Sequence, residues 1–252
     1  MEYNYSLKDK TILITGASSG LGKAIAIYAS KRGAKIILIA RNLERLFETF
    51  KLLEGENHTY YSFDLNDIDG MKSLVSSIIV ENGKLDGLVH AAGVESTIPF
   101  KMLSYKSVEE MFKINVFSGI ELTRLFTSKK KINNGGSIIF LSSVMGSLGE
   151  KGKVAYCGSK AAIKNMVKPL ALELSNRQIR VNSISPGVVL TEMTEKMFAT
   201  MSEDNIMEIK EKHPLGFGEP KDIAELSIFL LSKESRWVTG SDLIIDGGFS
   251  IS

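Results

Sequence analysis

Short apolar runs alternate along the chain with longer amphipathic stretches, and this alternation limits the possible folds more than any other feature. Most of the short runs are continuously apolar, which is typical of strands covered on both faces. The predicted strands are Thr11–Thr15, Lys35–Ala40, Thr59–Phe63, Gly87–Ala91, Ser137–Leu141, Arg180–Ser185 and Asp242–Ile245. The predicted helices between and after them are Leu21–Arg32, Leu43–Leu53, Asp67–Val80, Ser107–Ser128, Ala155–Leu174 and Lys221–Leu231.

Strands that alternate with helices form βαβ units with parallel strands. We therefore expect an α/β fold, a single doubly wound Rossmann domain over residues 1–252 with a seven-stranded parallel sheet and helices on both faces. A chain of 252 residues could hold two domains, but no linker or repeat divides it. Pro169 lies inside a predicted helix and should kink or loosen its middle.

Composition excludes several classes of protein. Hydrophobic residues make up 44% of the chain and charged residues 24%, which excludes a disordered chain. A net charge of +2 gives no general argument for nucleic-acid or membrane binding, and no apolar run approaches the roughly 18 residues of a membrane span. The first ten residues lack a signal-peptide pattern, and Cys157 is the sole cysteine. We expect a soluble cytoplasmic protein without disulfide or metal.

The loop after the first predicted strand is rich in glycine. It reads Gly16-Ala17-Ser18-Ser19-Gly20-Leu21-Gly22 and leads into a helix. Such glycines let the backbone approach a pyrophosphate closely, and the helix N-terminus supplies amide donors. The loop therefore predicts a dinucleotide site. An ordinary glycine turn is the alternative, because the spacing G-x-x-x-G-x-G differs from the common G-x-G-x-x-G.

The end of the second predicted strand indicates the type of dinucleotide. An NAD site usually places an acidic residue there to bind the ribose 2′-hydroxyl. This chain has Arg41 instead, a planar cation suited to a 2′-phosphate, and Ser18 or Ser19 could add hydroxyl donors. NADP(H) is therefore the preferred prediction and NAD(H) the alternative. A solvated arginine that opens a helix is the other interpretation of Arg41.

A tyrosine and a lysine four residues apart follow the fifth predicted strand. Tyr156 and Lys160 would share one face of a helix. A free tyrosine has a pKa of about 10, and a neighbouring cation lowers it, so the pair predicts a proton donor that works near neutrality. Ser143 lies thirteen residues before Tyr156 and could bind the same substrate oxygen. The Y-x-x-x-K spacing alone is more often structural.

These motifs, taken in order, resemble the short-chain dehydrogenase/reductase family from about Leu7 to Gly248. The C-terminal run from Trp237 to Gly248 is most similar to the branch that contains bacterial 3-oxoacyl-[acyl-carrier-protein] reductases, which also holds enzymes for other alcohols and sugars. The residues that carry the resemblance are Gly16–Gly22, Asp64, Ala92-Gly93, Asn115, Ser143, Tyr156, Lys160 and Pro186-Gly187.

The resemblance implies roles for four catalytic residues. Tyr156 would give a proton to the substrate carbonyl oxygen, and Lys160 would lower the Tyr156 pKa and hold the nicotinamide ribose. Ser143 would bind the substrate oxygen, and Asn115 would anchor a water in a proton relay that ends at Lys160. Ser142 also precedes the tyrosine, but the thirteen-residue distance selects Ser143.

The resemblance also implies a set of cofactor contacts. Asp64 and Leu65 would contact the adenine, Gly93 would let the chain pass the adenosine ribose, and Thr191 would help to hold the carboxamide. The family usually has Asn-Asn-Ala-Gly where this chain has His90-Ala91-Ala92-Gly93, and we assign His90 no catalytic role. The complete set is Gly16, Ser18, Ser19, Gly20, Leu21, Gly22, Arg41, Asp64, Leu65, Ala92, Gly93, Tyr156, Lys160, Pro186, Gly187, Val189 and Thr191.

The expected function is NADP(H)-dependent reduction of a carbonyl, with a 3-oxoacyl thioester as the leading substrate and acyl-carrier protein as a partner. The alternative is a dehydrogenase for a sugar, polyol or other small alcohol. A non-catalytic nucleotide-binding scaffold is a third hypothesis, against which the complete catalytic set argues. We also expect a homotetramer or homodimer formed through the helices at Ser107–Ser128 and Ala155–Leu174 and the C-terminal strand.

Three further features have two interpretations each. Met193, Met197 and Met201, with Met207 close behind, could line a mobile lid over the substrate or belong to an amphipathic helix. Lys129-Lys130-Lys131, together with Arg177, could dock an acidic carrier protein or be a solvated helix end. Glu95 and Glu150 lie near the expected substrate mouth, and solvation at the surface is the default expectation for both.

Overall fold

The computed structural model describes residues 5–128 and 130–252, and within them seven parallel strands form one sheet. The strand order is β3-β2-β1-β4-β5-β6-β7. The strands are β1 (Thr11–Thr15), β2 (Lys35–Ala40), β3 (Thr59–Ser62), β4 (Leu85–His90), β5 (Ile132–Leu141), β6 (Arg180–Pro186) and β7 (Asp242–Ile245). All seven predicted strands are present, with boundaries that differ by a few residues.

Helices connect the strands on both sides of the sheet. They are α1 (Gly20–Lys31), α2 (Leu43–Phe50), α3 (Met71–Asn82), α4 (Tyr105–Phe112), α5 (Ser118–Phe126), α6 (Val154–Leu174), α7 (Glu192–Phe198), α8 (Glu203–Glu211) and α9 (Pro220–Leu231). A one-turn π-helix, Lys113–Phe117, joins α4 to α5. Helix α6 continues through Pro169.

Successive strand residues point into two separate apolar layers. Ile12 packs in one layer with Ile25 of α1 and with residues of α9. Its neighbour Leu13 packs in the other layer with Val75 of α3 and Val167 of α6. This burial on both faces explains why the strands are continuously apolar in sequence, and it confirms the predicted doubly wound fold.

The order of the strands reverses at β1, which pairs with β2 on one side and with β4 on the other. Thr15, the last residue of β1, is in register with Ile39 of β2 and His90 of β4. Chain connections leave these neighbouring strands in opposite directions, so a crevice opens beyond their carboxyl ends.

The predicted helices differ from the structure at their ends, by up to three residues for Leu43–Leu53, which ends at Phe50, and by more in two cases. The helix predicted over Asp67–Val80 begins only at Met71, because the Asp67 side chain accepts a hydrogen bond from the Gly70 N–H and forms a separate turn. The helix predicted over Ser107–Ser128 is divided by the π-helix and ends at Phe126. The extra residue of a π-turn is common at functional sites.

Within residues 5–128 and 130–252, no helix is long and apolar enough to cross a membrane. The same residues contain no group of three or more His, Cys, Asp or Glu side chains placed to hold a metal ion. Cys157 is a free thiol of intermediate exposure.

Candidate active site

A cleft of about 760 Å³ lies beyond the carboxyl ends of the strands. Every residue predicted to be catalytic or to bind the cofactor lines this cleft except Asn115. Its size is typical of a small-molecule or cofactor site. The glycine loop follows β1 and Ser143 follows β5, two strands further along the sheet, so they line separate parts of the cleft. We call the part at the glycine loop the nucleotide end and the part at Ser143 and Tyr156 the reacting end.

The glycine loop is held too closely for side chains at two positions. Gly16 has a φ of +66°, and a Cβ there would lie 2.7 Å from the backbone of Ala92. A Cβ on Gly22 would lie 2.4 Å from the carbonyl oxygen of Gly16. The first turn of α1 carries no acidic residue, and Ser19 at its N-cap makes no side-chain capping bond. The loop therefore fits a pyrophosphate, which needs close backbone approach and free amide donors.

The end of β2 presents a cation to the same cleft. Arg41 is exposed, and its carbonyl oxygen accepts a hydrogen bond from the Ser62 hydroxyl. Arg45, one turn into α2, pairs with Glu192 of α7 at 2.6 Å and so connects these two helices. Asp64 also lines the cleft, and its carboxylate accepts hydrogen bonds from the backbone and side chain of Asn66. Arg41 is thus an exposed positive charge in the wall of the cleft at the end of β2.

Tyr156, Ser143 and Lys160 converge at the reacting end of the cleft. The Lys160 Nζ donates to the carbonyl oxygen of Leu141 at 2.9 Å and lies 5.6 Å from the centre of the Tyr156 ring. The Ser143 hydroxyl, which accepts a hydrogen bond from the Met145 N–H at 3.2 Å, also lies close to Tyr156 and acts to lower the pKa of the tyrosine hydroxyl. The hydroxyl of Ser142 instead donates to the carbonyl oxygen of Lys160, so Ser143 is the serine beside the tyrosine.

Burial has the largest influence on the pKa values of Tyr156 and Lys160. It raises the pKa of the Tyr156 hydroxyl, and the nearby Ser143 hydroxyl and the charge of Lys153 act against it. It also lowers the pKa of Lys160 to about 8, which leaves this lysine mainly protonated at pH 7. That Lys160 lowers the Tyr156 pKa stays a prediction. Desolvation of the phenolate outweighs the attraction of nearby cations.

Asn115 lies in the π-helix behind the cleft. Its Oδ1 accepts from the Val94 N–H at 2.8 Å, and its Nδ2 donates to the Val94 carbonyl oxygen and to the Ser159 hydroxyl, each at 3.0 Å. Asn115 thus holds the loop after β4 against α6. Because both amide N–H groups are used, a water in the predicted proton relay can bind only through an oxygen atom of this residue.

Lys153, which the sequence analysis missed, lies beside Tyr156 in the cleft wall. Its ammonium group pairs with Glu95 at 3.0 Å and with Glu150 at 3.3 Å. The expectation of surface solvation is wrong for Glu95, whose side chain is only 18% exposed, whereas Glu150 is 45% exposed and pairs with Lys153 from the surface. The spacing of three between Glu150 and Lys153 was a visible signal, but Glu95 is distant in sequence.

The methionine-rich segment forms α7 and α8 over the cleft. Met193, Met197 and Met201 line the cleft, whereas Met207 is 59% exposed and does not line it. Thr191, a predicted cofactor contact, caps the N-terminus of α7 by accepting a hydrogen bond from the Thr194 N–H. The segment is therefore helical, and three of its four methionines face the site.

Arg177 and His90 do not line the cleft. The guanidinium group of Arg177 donates to the carbonyl oxygens of Thr127 and Ile132, at the opposite end of β5 from the cleft. Lys129, part of the basic patch suggested with Arg177, lies outside the described residues. His90 is buried against Phe140 and bonded to Thr123, and burial lowers its pKa to about 3.

Comparison with known proteins decides the family. A family model described as Enoyl-(Acyl carrier protein) reductase matches residues 16–250, which is most of the chain. The chain belongs to the short-chain dehydrogenase/reductase family. Members of this family are NAD(P)-dependent oxidoreductases that act on CH–OH or C=O groups, and this protein is an enzyme of that class.

Relatives within the short-chain dehydrogenase/reductase family have different substrates. The 3-oxoacyl-[acyl-carrier-protein] reductase FabG of Thermotoga maritima is 34% identical over 249 residues, covering 97% of this chain and 99% of the relative. The D-threitol dehydrogenase of Mycolicibacterium smegmatis is 33% identical, covering 100% of this chain and 96% of the relative. The L-xylulose reductase of Caenorhabditis elegans is 32% identical, covering 99% of each chain.

Solved structures of family members superpose closely. A putative short-chain alcohol dehydrogenase from Sinorhizobium meliloti has a TM-score of 0.91 at 30% identity, covering 98% of each chain. A short-chain dehydrogenase/reductase from Serratia marcescens has a TM-score of 0.90 at 27% identity, covering 98% of this chain and 100% of the other. The whole sheet and its helices thus follow the family fold.

Proposed function

We propose that this protein reduces a carbonyl group to an alcohol with NADP(H), and that Tyr156 is the proton donor. The observation that carries the proposal is the convergence of Ser143, Tyr156 and Lys160 at one end of a cleft whose other end is a glycine loop fitted to a dinucleotide. One ligand could therefore reach from the loop to the tyrosine.

Each residue of the reacting end has a separate task in this proposal. When bound, the nicotinamide supplies the hydride that the reduction needs. Ser143 orients the substrate oxygen by hydrogen bonding, and the Tyr156 hydroxyl gives that oxygen a proton as charge develops on it. Lys160, 6% exposed, favours the resulting phenolate because its charge is poorly screened by water.

Preference for NADP(H) over NAD(H) is supported by the end of β2. Arg41 is exposed at the cleft and can pair with a 2′-phosphate, whereas an NAD site would place a carboxylate there to accept from the ribose. Ser18 and Ser19 line the same region and offer hydroxyl donors.

The leading substrate is a 3-oxoacyl thioester. The FabG relatives act on such substrates by name, and Met193, Met197 and Met201 give the cleft an apolar wall that suits an acyl chain. A sugar or polyol is the second candidate. It is supported by the D-threitol dehydrogenase and L-xylulose reductase relatives and by the polar wall that Glu95 and Lys153 form.

A panel of substrates scored by NADPH consumption tests both candidates. It should include a 3-oxoacyl thioester, an enoyl thioester, a simple ketone and a keto-sugar. We expect the highest kcat/KM with the 3-oxoacyl thioester. A higher value with the keto-sugar would select the second candidate, and no consumption with any carbonyl compound would reject the proposed function.

We further propose that the chain is one catalytic domain that acts in the cytoplasm as a homotetramer or homodimer. Exposed apolar residues on the elements expected at the interface support the assembly: Phe117, Ile120, Val154, Leu172 and Ile244. Acyl-carrier protein is the partner that the thioester hypothesis implies. Light scattering that shows a monomer at micromolar concentration would reject the assembly.

A further inference from the structure

Tyr156 lies between two lysines in sequence: Lys153, the N-cap residue of α6, and Lys160 within the helix. The Nζ of Lys160 lies 5.6 Å from the centre of the tyrosine ring, and the Nζ of Lys153 lies 5.9 Å from it. The two lysines differ in their partners. Lys160 donates to a backbone carbonyl oxygen, whereas Lys153 is bound to two carboxylates.

Lys153, Glu95 and Glu150 form the Lys153 cluster. Its residues come from two loops that meet at the start of α6. Glu95, whose side chain is 18% exposed, comes from the loop after β4 and also accepts a hydrogen bond from the Thr97 hydroxyl. Glu150 precedes α6 by one turn. The Ile98 N–H donates to the Gly152 carbonyl oxygen and ties the two loops together. The ammonium group of Lys153 is therefore held by one carboxylate from each loop.

A buried cation of this kind is costly to keep. Removing an ammonium group from water is expensive, and a hydrophobic side chain of similar volume is often as stabilising as a buried ion pair. Lys153 nevertheless lies in the wall of the cleft at 8% exposure. Its distance from Tyr156 is short enough for its charge to act on that hydroxyl with little screening.

We propose that Lys153 is a positioning residue that, together with Lys160, sets the pH range in which Tyr156 exchanges its proton, and that Glu95 opposes it. The proposal rests on the proposed role of Tyr156 as proton donor. The sequence analysis assigned the lowering of the Tyr156 pKa to Lys160 alone. The proposal adds a second cation, Lys153, and a carboxylate, Glu95, that acts in the opposite direction.

The charged and titratable groups that face Tyr156 act in opposite directions. Burial raises the Tyr156 pKa, the charge of Glu95 raises it further, and the charge of Lys153 lowers it. Cys157, the next residue of α6, also raises it. Burial alone would lower the pKa of Lys153, but Glu95 and Glu150 raise it overall, so Lys153 stays charged across the range in which the tyrosine works.

These charges determine in which direction each variant should shift the midpoint of the Tyr156 titration. Lys153→Gln removes a cation and leaves two carboxylates near the phenolate, so the midpoint of the Tyr156 titration should move to higher pH by about one unit. Glu95→Gln removes an anion while Glu150 still holds Lys153, so the midpoint should move to lower pH. Lys153→Arg retains the charge and should restore most of the original midpoint.

The experiment is a pH titration of the full-length protein with saturating NADP⁺, followed by NMR of tyrosine labelled with ¹³C at Cζ. The Tyr156 signal is assigned by its loss in Tyr156→Phe. Lys151→Gln is the matched control, because Lys151 is an exposed lysine two residues away with the same charge change. Thermal melting of each variant checks that the fold is retained.

Opposite shifts in Lys153→Gln and Glu95→Gln, with Lys151→Gln unchanged and Lys153→Arg close to the original, would support the proposal. An unchanged midpoint in Lys153→Gln, or shifts of the same sign in both variants, would overturn it. If Lys153→Gln does not fold, the Glu95→Gln and Lys153→Arg titrations still decide. The readout needs no substrate, so a protein that reduces no carbonyl in the substrate panel fails the proposed function without deciding this inference.

Discussion

The two ends of the cleft are built by different means. At the nucleotide end, the backbone forms the surface, and Gly16 and Gly22 are required because no side chain fits there. At the reacting end, side chains from separate loops form the surface, and the Lys153 cluster balances one buried cation against two carboxylates. The first end fits a part of the cofactor that is common to the family. The second can change with the substrate while the backbone stays in place.

The largest expected effect is at the reacting end. Tyr156→Phe removes the proposed proton donor, and we expect kcat to fall roughly 10²- to 10⁴-fold. NADPH affinity, measured by fluorescence titration, should change little because the nucleotide end is intact. Tyr105→Phe is the matched control, since Tyr105 is 81% exposed. Turnover close to the original in Tyr156→Phe would show that another group supplies the proton.

The next effect is at the nucleotide end. Gly22→Ala places a Cβ against the Gly16 carbonyl oxygen, so backbone must move, and we expect a loss of about 1–3 kcal/mol in stability. The melting temperature should fall by several degrees, and NADPH should bind more weakly. Gly149→Ala is the control, because nothing lies within 4 Å of its Cβ position. Equal melting temperatures for the two variants would contradict the close packing described for the loop.

Arg41→Ala tests the type of nucleotide. Loss of a charge-assisted hydrogen bond to the 2′-phosphate should cost roughly 1.5–3 kcal/mol, or about 10- to 100-fold in NADPH affinity. NADH has no such phosphate, so its affinity should remain the same, and it serves as the control ligand in calorimetry. Equal losses for the two nucleotides would remove the case for NADP(H).

The smallest expected effect concerns the ion pair between Arg45 of α2 and Glu192 of α7. Glu192→Gln weakens the ion pair with Arg45, which is exposed to solvent and should contribute no more than about 1 kcal/mol. We expect the dissociation constant of NADPH to change less than fivefold, and the difference from the original protein to shrink as salt is added. A change of tenfold or more would show that this pair closes the cleft over the nucleotide.

The nucleotide end and the sheet could largely be predicted from sequence because local patterns determine them. Short, mostly apolar runs indicated all seven strands, and closely spaced glycines indicated the loop after β1. The Lys153 cluster depends on two loops that meet only in the folded chain, so Glu95 carried no local signal. The division of the helix predicted over Ser107–Ser128 depends in the same way on bonds between Asn115 and distant backbone.

Transfer of deuterium from the cofactor tests the central claim most directly. NADPH carrying deuterium at both C4 positions is incubated with the protein and the most active carbonyl compound of the panel, and the product is analysed by mass spectrometry. We expect an alcohol with one deuterium on the former carbonyl carbon, formed at a rate that falls with Tyr156→Phe. An alcohol without deuterium, or no alcohol at all, would contradict hydride reduction at this site.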